Sequence, residues 1–256
     1  MYEGGFTYLL YRKPLLYDLA FSWSTGVEVD FYEAVFEEHA GGAEKVLELG
    51  CGTGRLMVEF AKRGYLVSGL DICFQMLRRA RAKFEEQGLW NAEAYIADMC
   101  KFGARQCYDA AISALNTIGH LLTKESLRSH LECVAEALRP GGVYCIVFAP
   151  ASEGRLAHTW TSAPEGVKVQ CKWWRDGNRG RVVEKYLFTY RWSGGKSLIL
   201  YGMMIMYAWE LNEVIAAARE AGLEPVACYS DFSLSSRVEL DEPCSRAILV
   251  LRRPVE

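Results

Sequence analysis

Val46-Leu-Glu-Leu-Gly-Cys-Gly-Thr-Gly-Arg55 begins as a short apolar strand and ends in three glycines, Gly50, Gly52 and Gly54. Leu56, Met57, Phe60 and Ala61 then fall on one helical face. A strand that breaks into a glycine-rich turn and opens a helix offers bare backbone N–H groups to a ligand. Glycine supplies the unusual dihedrals and the close approach.

The flanks narrow the ligand. A nicotinamide dinucleotide site has the spacing G-x-G-x-x-G/A, with pyrophosphate on the helix N-terminus. Counted from Gly50, its third small residue falls on Arg55, and the third glycine comes one residue early. Glu48 is also foreign to a dinucleotide strand. A carboxylate at the mouth of the turn suits a cationic group, such as an amino acid's ammonium.

Glu48-Leu-Gly-Cys-Gly-Thr-Gly54 resembles the first motif of class I S-adenosylmethionine (SAM) dependent methyltransferases of the small-molecule type. Gly69-Leu-Asp71-Ile-Cys73 and Ala97-Asp98-Met99 resemble the next two, at the expected distances. The resemblance covers residues 40 to 150 well and the flanks more loosely. It implies a SAM cofactor, leaving as S-adenosylhomocysteine, with Glu48 near the methionine ammonium. Gly50, Cys51, Gly52 and Gly54 would give close backbone contact, the Cys51 side chain mattering only for its small size. Asp71 would take the ribose diol, since a carboxylate is an acceptor matched to two hydroxyls. Ile72 and Met76 would pack on adenine, and Asp98 and Met99 would flank it.

The chain has 256 residues and 51% hydrophobic content, ample for a core, and a formal net charge of −3. No basic excess points to nucleic acid and no acidic tail to disorder. The stretches free of charge, Ala110–Thr123, Pro140–Ser152 and Ser197–Trp209, fall short of the ~20 residues of a membrane span. Glu3 near the start, with no basic-then-apolar run, argues against a signal peptide. The expectation is a cytoplasmic protein. The nine cysteines include no C-x-x-C and no zinc-like spacing. Small buried hydrophobes in a reducing compartment account for them. Thiol ligation of a soft substrate such as trivalent arsenic stays open. No metal is expected.

Residues 1–30 are aromatic without clear periodicity: Tyr2, Phe6, Tyr8, Tyr11, Tyr17, Phe21 and Trp23. Tyr17-Asp18-Leu19 followed by Trp23 resembles the segment that caps the cofactor in small-molecule methyltransferases. Aromatic faces attract a sulfonium, and a lid excludes water. Equally, these rings would pack on a sheet edge. A helix is expected over Asp30–His39. From Lys45 strands and helices alternate, which implies a parallel sheet covered on both faces. The strands are Lys45–Leu49, Leu66–Leu70, Ala94–Ala97, Tyr108–Leu115 and Val143–Phe148. Leu138-Arg-Pro-Gly-Gly142 ends the helix before the last of these and again resembles the family.

Residues 151–166 read as a loop. Val167–Arg175, Arg181–Trp192 and Lys196–Tyr207 then read as an antiparallel meander, with turns at Asp176–Gly180 and Ser193–Gly195. Such an insertion resembles the accessory sheet that some small-molecule methyltransferases build over the active site. It would cover substrate, pack on the main domain or contact a second subunit in a homodimer. A helix over Glu210–Ala221 and strands Glu224–Asp231 and Ser245–Arg252 complete the chain. The fold expected is α/β: a doubly wound, seven-stranded, mostly parallel Rossmann-like methyltransferase sheet with an antiparallel β insertion after strand five. Its parts are a helical N-terminal cap (1–44), the SAM-binding core (45–150), the insertion (151–207) and the C-terminal part of the sheet (208–256).

Methyl transfer from a sulfonium is a direct displacement with a neutral leaving group. Alignment in water-excluded space supplies much of the rate. A neutral amine attacks as it stands, whereas a hydroxyl or acidic carbon usually needs a base. An absent acid–base pair therefore says nothing against the reading. Ala114-Leu-Asn116-Thr-Ile-Gly-His120 resembles the corresponding strand end of small-molecule N- and C-methyltransferases. Asn116 would meet the methionine end of the cofactor, and His120 would orient or deprotonate the acceptor, or serve structure alone. The Asn-Pro-Pro-Tyr motif of nucleic-acid and protein-glutamine amine methylators is absent, which lowers DNA adenine as the target. The expected acceptor is a small molecule, with nitrogen ahead of oxygen and carbon. A non-catalytic SAM-binding protein and an NAD-type oxidoreductase are the alternatives. The three intact motifs weigh against the first, and the glycine spacing with Glu48 against the second.

Overall fold

The computed structural model describes residues 8–23, 25–151, 156–164, 166–240, 242 and 244–255. Tyr2 and Phe6 lie outside that set. Two helices open the described chain, α1 (Pro14–Ala20) and α2 (Gly26–Ala40). Pro14 stands at the start of α1, where its fixed φ suits a helix and its missing N–H costs nothing. The helix α2 begins four residues before the expected Asp30, since Glu28 in its first turn is held by Arg55 of the next helix.

The main sheet alternates as expected: β1 (Lys45–Leu49), α3 (Arg55–Lys62), β2 (Leu66–Asp71), α4 (Phe74–Glu86), β3 (Ala92–Ile96), β4 (Tyr108–Ser113), α5 (Lys124–Ala137) and β5 (Leu138–Phe148). Pro140 drives its predecessor out of helical geometry, so the chain turns extended at Leu138, where it pairs with Tyr108. Strand five therefore starts five residues before the expected Val143.

The insertion has four strands, not three: β6 (Ala157–Ser162), β7 (Val167–Asp176), β8 (Gly180–Trp192) and β9 (Ser197–Ala208). The expected loop over 151–166 thus contains β6. Its residues are mostly exposed, so no apolar alternation betrays it in the sequence. The helix α6 (Leu211–Glu220) and strands β10 (Glu224–Tyr229), β11 (Arg237–Val238) and β12 (Ala247–Arg252) follow.

The main sheet runs β11-β10-β12-β5-β4-β1-β2-β3, and the accessory sheet β6-β7-β8-β9. Strands β1 to β5 are parallel, and β12 enters antiparallel between β5 and β10. These seven match the expected strands, and the two-residue β11 adds an eighth at the edge. Chain order reverses between β1 and β4, so the crevice at their C-terminal ends is the place for a ligand.

Three apolar clusters hold the fold. One main-sheet face packs on α2, α3 and α4 through Phe31, Phe36, Phe60 and Phe84. The other packs on α5 and α6 through Leu131, Val134 and Val214. The third joins the accessory sheet to residues 8–21 through Leu10, Ala20 and Phe21 against Tyr186, Phe188 and Tyr190. Burying Leu10 and Phe21 contributes about 1.5–3 kcal/mol each. Polar contacts fasten the same junction: Trp160 Nε1 and Ser162 Oγ both donate to the Ala20 carbonyl at 2.8 Å, and Tyr190 donates to the Leu16 carbonyl at 2.9 Å. The residues around α1 thus belong with the accessory sheet, whereas α2 belongs with the main core.

Candidate active site

The turn after β1 carries Gly50, Gly52 and Gly54 at φ of +68°, +54° and +69°, a region costly for other residues. A Cβ on Gly50 would collide with Thr117 Cγ2, so the turn and the segment after β4 touch only because that side chain is absent. Cys51 is buried and packs its sulfur beneath Gly69 of β2. Met76 is buried under the turn, its Cε 3.3 Å from the Cβ position of Gly52.

Glu48 is 5% exposed, and its Oε2 has no hydrogen-bond partner among the described residues. Burial pushes its carboxyl up to about 8, while Arg55 pulls the other way. Arg55 does not neutralise it directly. Its guanidinium is held by Glu28, with Nη1 to Oε1 at 2.5 Å and Nη2 to Oε2 at 2.9 Å, and lies 5.2 Å from the Trp23 ring centroid. A buried carboxyl with an orphaned oxygen is poised for a cation supplied from outside.

Asp71 ends β2. Its Oδ2 accepts from the Gly52 N–H at 2.9 Å and its Oδ1 from the Cys73 N–H at 2.7 Å. Burial raises its pKa, and these backbone N–H groups oppose the rise. Ile72, next in the chain, is 50% exposed, an apolar surface at the lip of the crevice. The Ala97 N–H donates to the Asp71 carbonyl at 3.2 Å, which brings the Asp98-Met99 segment alongside. Asp98 is exposed and accepts from the Cys100 N–H at 2.8 Å. His130, invisible as a site residue in the sequence, pins this segment from below: its Nδ1 lies 3.0 Å from the Met99 carbonyl and its Nε2 2.7 Å from the Tyr144 hydroxyl.

Leu115 and Asn116 follow β4 at φ of +51° and +60°. Two consecutive non-glycine residues there mark a held, strained backbone. Asn116 is fixed by three bonds: its N–H to the Val147 carbonyl at 3.0 Å, its Nδ2 to Glu184 Oε1 at 3.3 Å, and its Oδ1 from the Ala149 N–H at 3.3 Å. Glu184, on β8, also accepts from Trp173 Nε1 at 2.7 Å and pairs with Arg175 at 2.9 Å. Sequence reading missed this buried cluster, whose only signal was a Glu and an Arg at inward positions of apolar strands.

His120 is half-buried on a 3-10 turn, Thr117–His120, and burial lowers its pKa to about 4. Tyr11 faces it, hydroxyl to Nε2 at 3.0 Å. Tyr17 stacks on Phe21 with ring centroids 4.4 Å apart, and burial raises its pKa, with Asp71 and Glu48 close enough to add to the rise. The N-terminal aromatics Tyr11 and Tyr17 therefore stand over the same crevice as Glu48, Asp71, Asn116 and His120. Among the described residues no three His, Cys, Asp or Glu side chains group as metal ligands, and the nine cysteines are free.

A doubly wound sheet with an acid at the end of β2 and a glycine turn after β1 defines a nucleoside-binding α/β protein. Residues 46–142 match a family described as a methyltransferase domain. The chain is 31% identical over 104 residues to dTDP-3-amino-3,4,6-trideoxy-alpha-D-glucopyranose N,N-dimethyltransferase of Streptomyces venezuelae, covering 41% of this chain and 42% of that one. DesVI of Streptomyces venezuelae superposes with a TM-score of 0.75 at 21% identity, over 94% of this chain and 96% of the other. The sugar N-methyltransferase KedS8 from Streptoalloteichus sp. ATCC 53650 gives 0.72 at 18% identity, over 99% and 96%. The chain spans about half the length of the curated relatives it matches. The matched segment is a methyltransferase domain, and the chain has the fold of solved S-adenosylmethionine-dependent methyltransferases.

Proposed function

We propose that the protein transfers a methyl group from SAM to a small-molecule acceptor, with an amine nitrogen as the leading acceptor atom. The observation that carries this reading is the buried Glu48 carboxyl, its Oε2 without a hydrogen-bond partner, beside a turn in which Gly50 has no room for a side chain. A cationic amino-acid moiety fits that pair. When bound, SAM supplies an electrophilic methyl on a sulfonium with a neutral leaving group. Glu48 and the turn would hold its methionine end, and Asp71 its ribose. Ile72, Met76, Asp98 and Met99 would line the adenine.

The chain's own work is to align and to exclude water. Tyr11 and Tyr17 close the crevice from above, and Asn116 is fixed at the boundary between cofactor and acceptor. With its pKa lowered to about 4, His120 is neutral near pH 7, suited to orienting an uncharged amine by hydrogen bonding. The printed names of the relatives, a sugar N,N-dimethyltransferase and a sugar N-methyltransferase, support nitrogen. On this reading the face of the accessory sheet that carries Glu184 covers the acceptor, and the opposite face would meet the second copy of a homodimer.

Calorimetric titration with SAM, S-adenosylhomocysteine and NAD tests the reading, with Asp71→Ala as control. Adenosyl-ligand binding that the substitution abolishes, with NAD silent, supports it. A folded protein that binds no adenosyl ligand overturns it. Turnover of screened amines then separates an enzyme from a non-catalytic SAM-binding protein.

A further inference from the structure

The helix α1 and the two residues before it meet α4 along an open groove of about 450 Å³, within the size range of pockets that hold small organic ligands. Its surface is mostly apolar, with Leu15, Leu16 and Ala82 among its lining residues. Leu15 is 62% exposed, so the groove keeps apolar surface in water.

The charges around it are all of one sign. Arg12 and Lys13 come from the α1 side, Arg78 and Arg79 from α4, and among the described residues no acid lines the groove. Arg79 is already answered, by Asp18 at 2.9 Å and Glu86 at 3.3 Å, and Asp18 also takes Lys83 at 2.6 Å. Arg12, Lys13 and Arg78 are exposed and, among the described residues, have neither an ion pair nor a side-chain hydrogen bond. This excess stands on a chain whose net charge is −3. Positive charge on both walls works against the packing of α1 on α4. An anion between the walls would turn that repulsion into attraction from both sides.

The chemistry of the occupant follows from the same residues. A lone carboxylate is too small to reach both walls and leaves the apolar surface bare. A diphosphate has oxygens for cations on both sides, and an arginine fork matches them bidentately. A nucleoside attached to it would cover Leu15, Leu16 and Ala82, with its base open to stacking by a guanidinium. We propose that this groove binds a soluble nucleoside diphosphate, which clamps α1 to α4. The clamp bears on the crevice, because Cys73 Sγ before α4 donates to the Tyr11 carbonyl at 3.6 Å and Tyr17 rides on α1. Binding in the groove does not depend on the transfer chemistry.

Calorimetric titration of the full chain with uridine diphosphate, inorganic pyrophosphate and uridine tests this. Uridine diphosphate should bind, more weakly as salt rises. Pyrophosphate, lacking the part that covers the apolar surface, should bind about tenfold more weakly, and uridine should not bind. The Lys13→Glu, Arg78→Glu double variant should lose at least about tenfold in affinity for uridine diphosphate, with its circular dichroism unchanged. Hydrogen exchange should show the α1 amides slowed when the ligand is present. A wild type that binds no uridine diphosphate overturns the proposal, as does binding that the double variant retains or equal affinity for pyrophosphate. If the variant fails to fold, exchange on the wild type decides: ligand protection that leaves α1 unchanged also overturns it.

Discussion

The Tyr11 hydroxyl lies 3.0 Å from Nε2 of His120, tying the N-terminal segment to the loop after β4. Burial lowers the His120 pKa to about 4, so the ring is neutral across the pH range in which amines begin to lose their protons. Methyl transfer to an amine should therefore show no inflection from His120 between pH 6 and 8. Tyr11→Phe and His120→Gln should each slow turnover roughly tenfold, the cost of about one hydrogen bond, with SAM affinity nearly unchanged. Steady-state rates over that pH range check both. A bell-shaped profile whose acid limb disappears in His120→Gln would make His120 a general base instead.

Glu48 gives a proton-linked prediction. Its carboxyl is pushed up to about 8, so it is mostly protonated in the ligand-free protein at pH 7. A bound ammonium favours the ionised form, so SAM binding should release close to one proton there. Calorimetry in buffers of different ionisation enthalpy measures this, and Glu48→Gln should abolish it. The raised pKa also makes Glu48 favour the ligand-free fold below its unfolded value of 4.5, with the benefit lost as pH rises through about 8.

His130 acts with the opposite sign. Its pKa falls from 6.5 to about 4 because burial disfavours the imidazolium. The unfolded chain takes up a proton in that window and the native one does not, so stability is lost as pH falls from 6.5 toward 4. At full burial the loss is on the order of 3 kcal/mol. Thermal unfolding at stepped pH should show it, and His130→Gln should make the fall shallower, with the like-shifted His120 supplying the remainder.

The Glu184–Arg175 pair is buried on both sides. Glu184→Ala leaves Arg175 uncompensated, strands Trp173 Nε1 and removes one of the three bonds that fix Asn116. It should cost about 3–5 kcal/mol, roughly a 10 °C fall in Tm. Adding Arg175→Met should recover part of that loss, because the unpaired charge is removed as well. Differential scanning calorimetry of the two variants decides.

The main sheet was readable because its signals are local. Apolar runs such as Val46–Leu49 break into Gly50-Cys-Gly-Thr-Gly54, and Asp71 and Asp98 mark neighbouring strand ends. Strand β6 was not, since Ala157–Ser162 is mostly exposed and carries no alternation. Pro14 was a legible helix start that the surrounding aromatics obscured. Tyr11 with His120 and Asn116 with Glu184 are separated by 109 and 68 positions. Nothing in a single sequence reports that such residues meet, because folding alone brings them together.

Residues 8–21 and the accessory sheet share one apolar cluster. The segment proposed to roof the adenosyl pocket and the surface proposed to choose the acceptor are consequently one interchangeable part. A chimera that imports only β6 to β9 from a relative would leave Leu10, Ala20 and Phe21 facing foreign partners and would lose its grip on the methyl donor. To retarget this scaffold, the leading segment must be transplanted together with the sheet it is packed against.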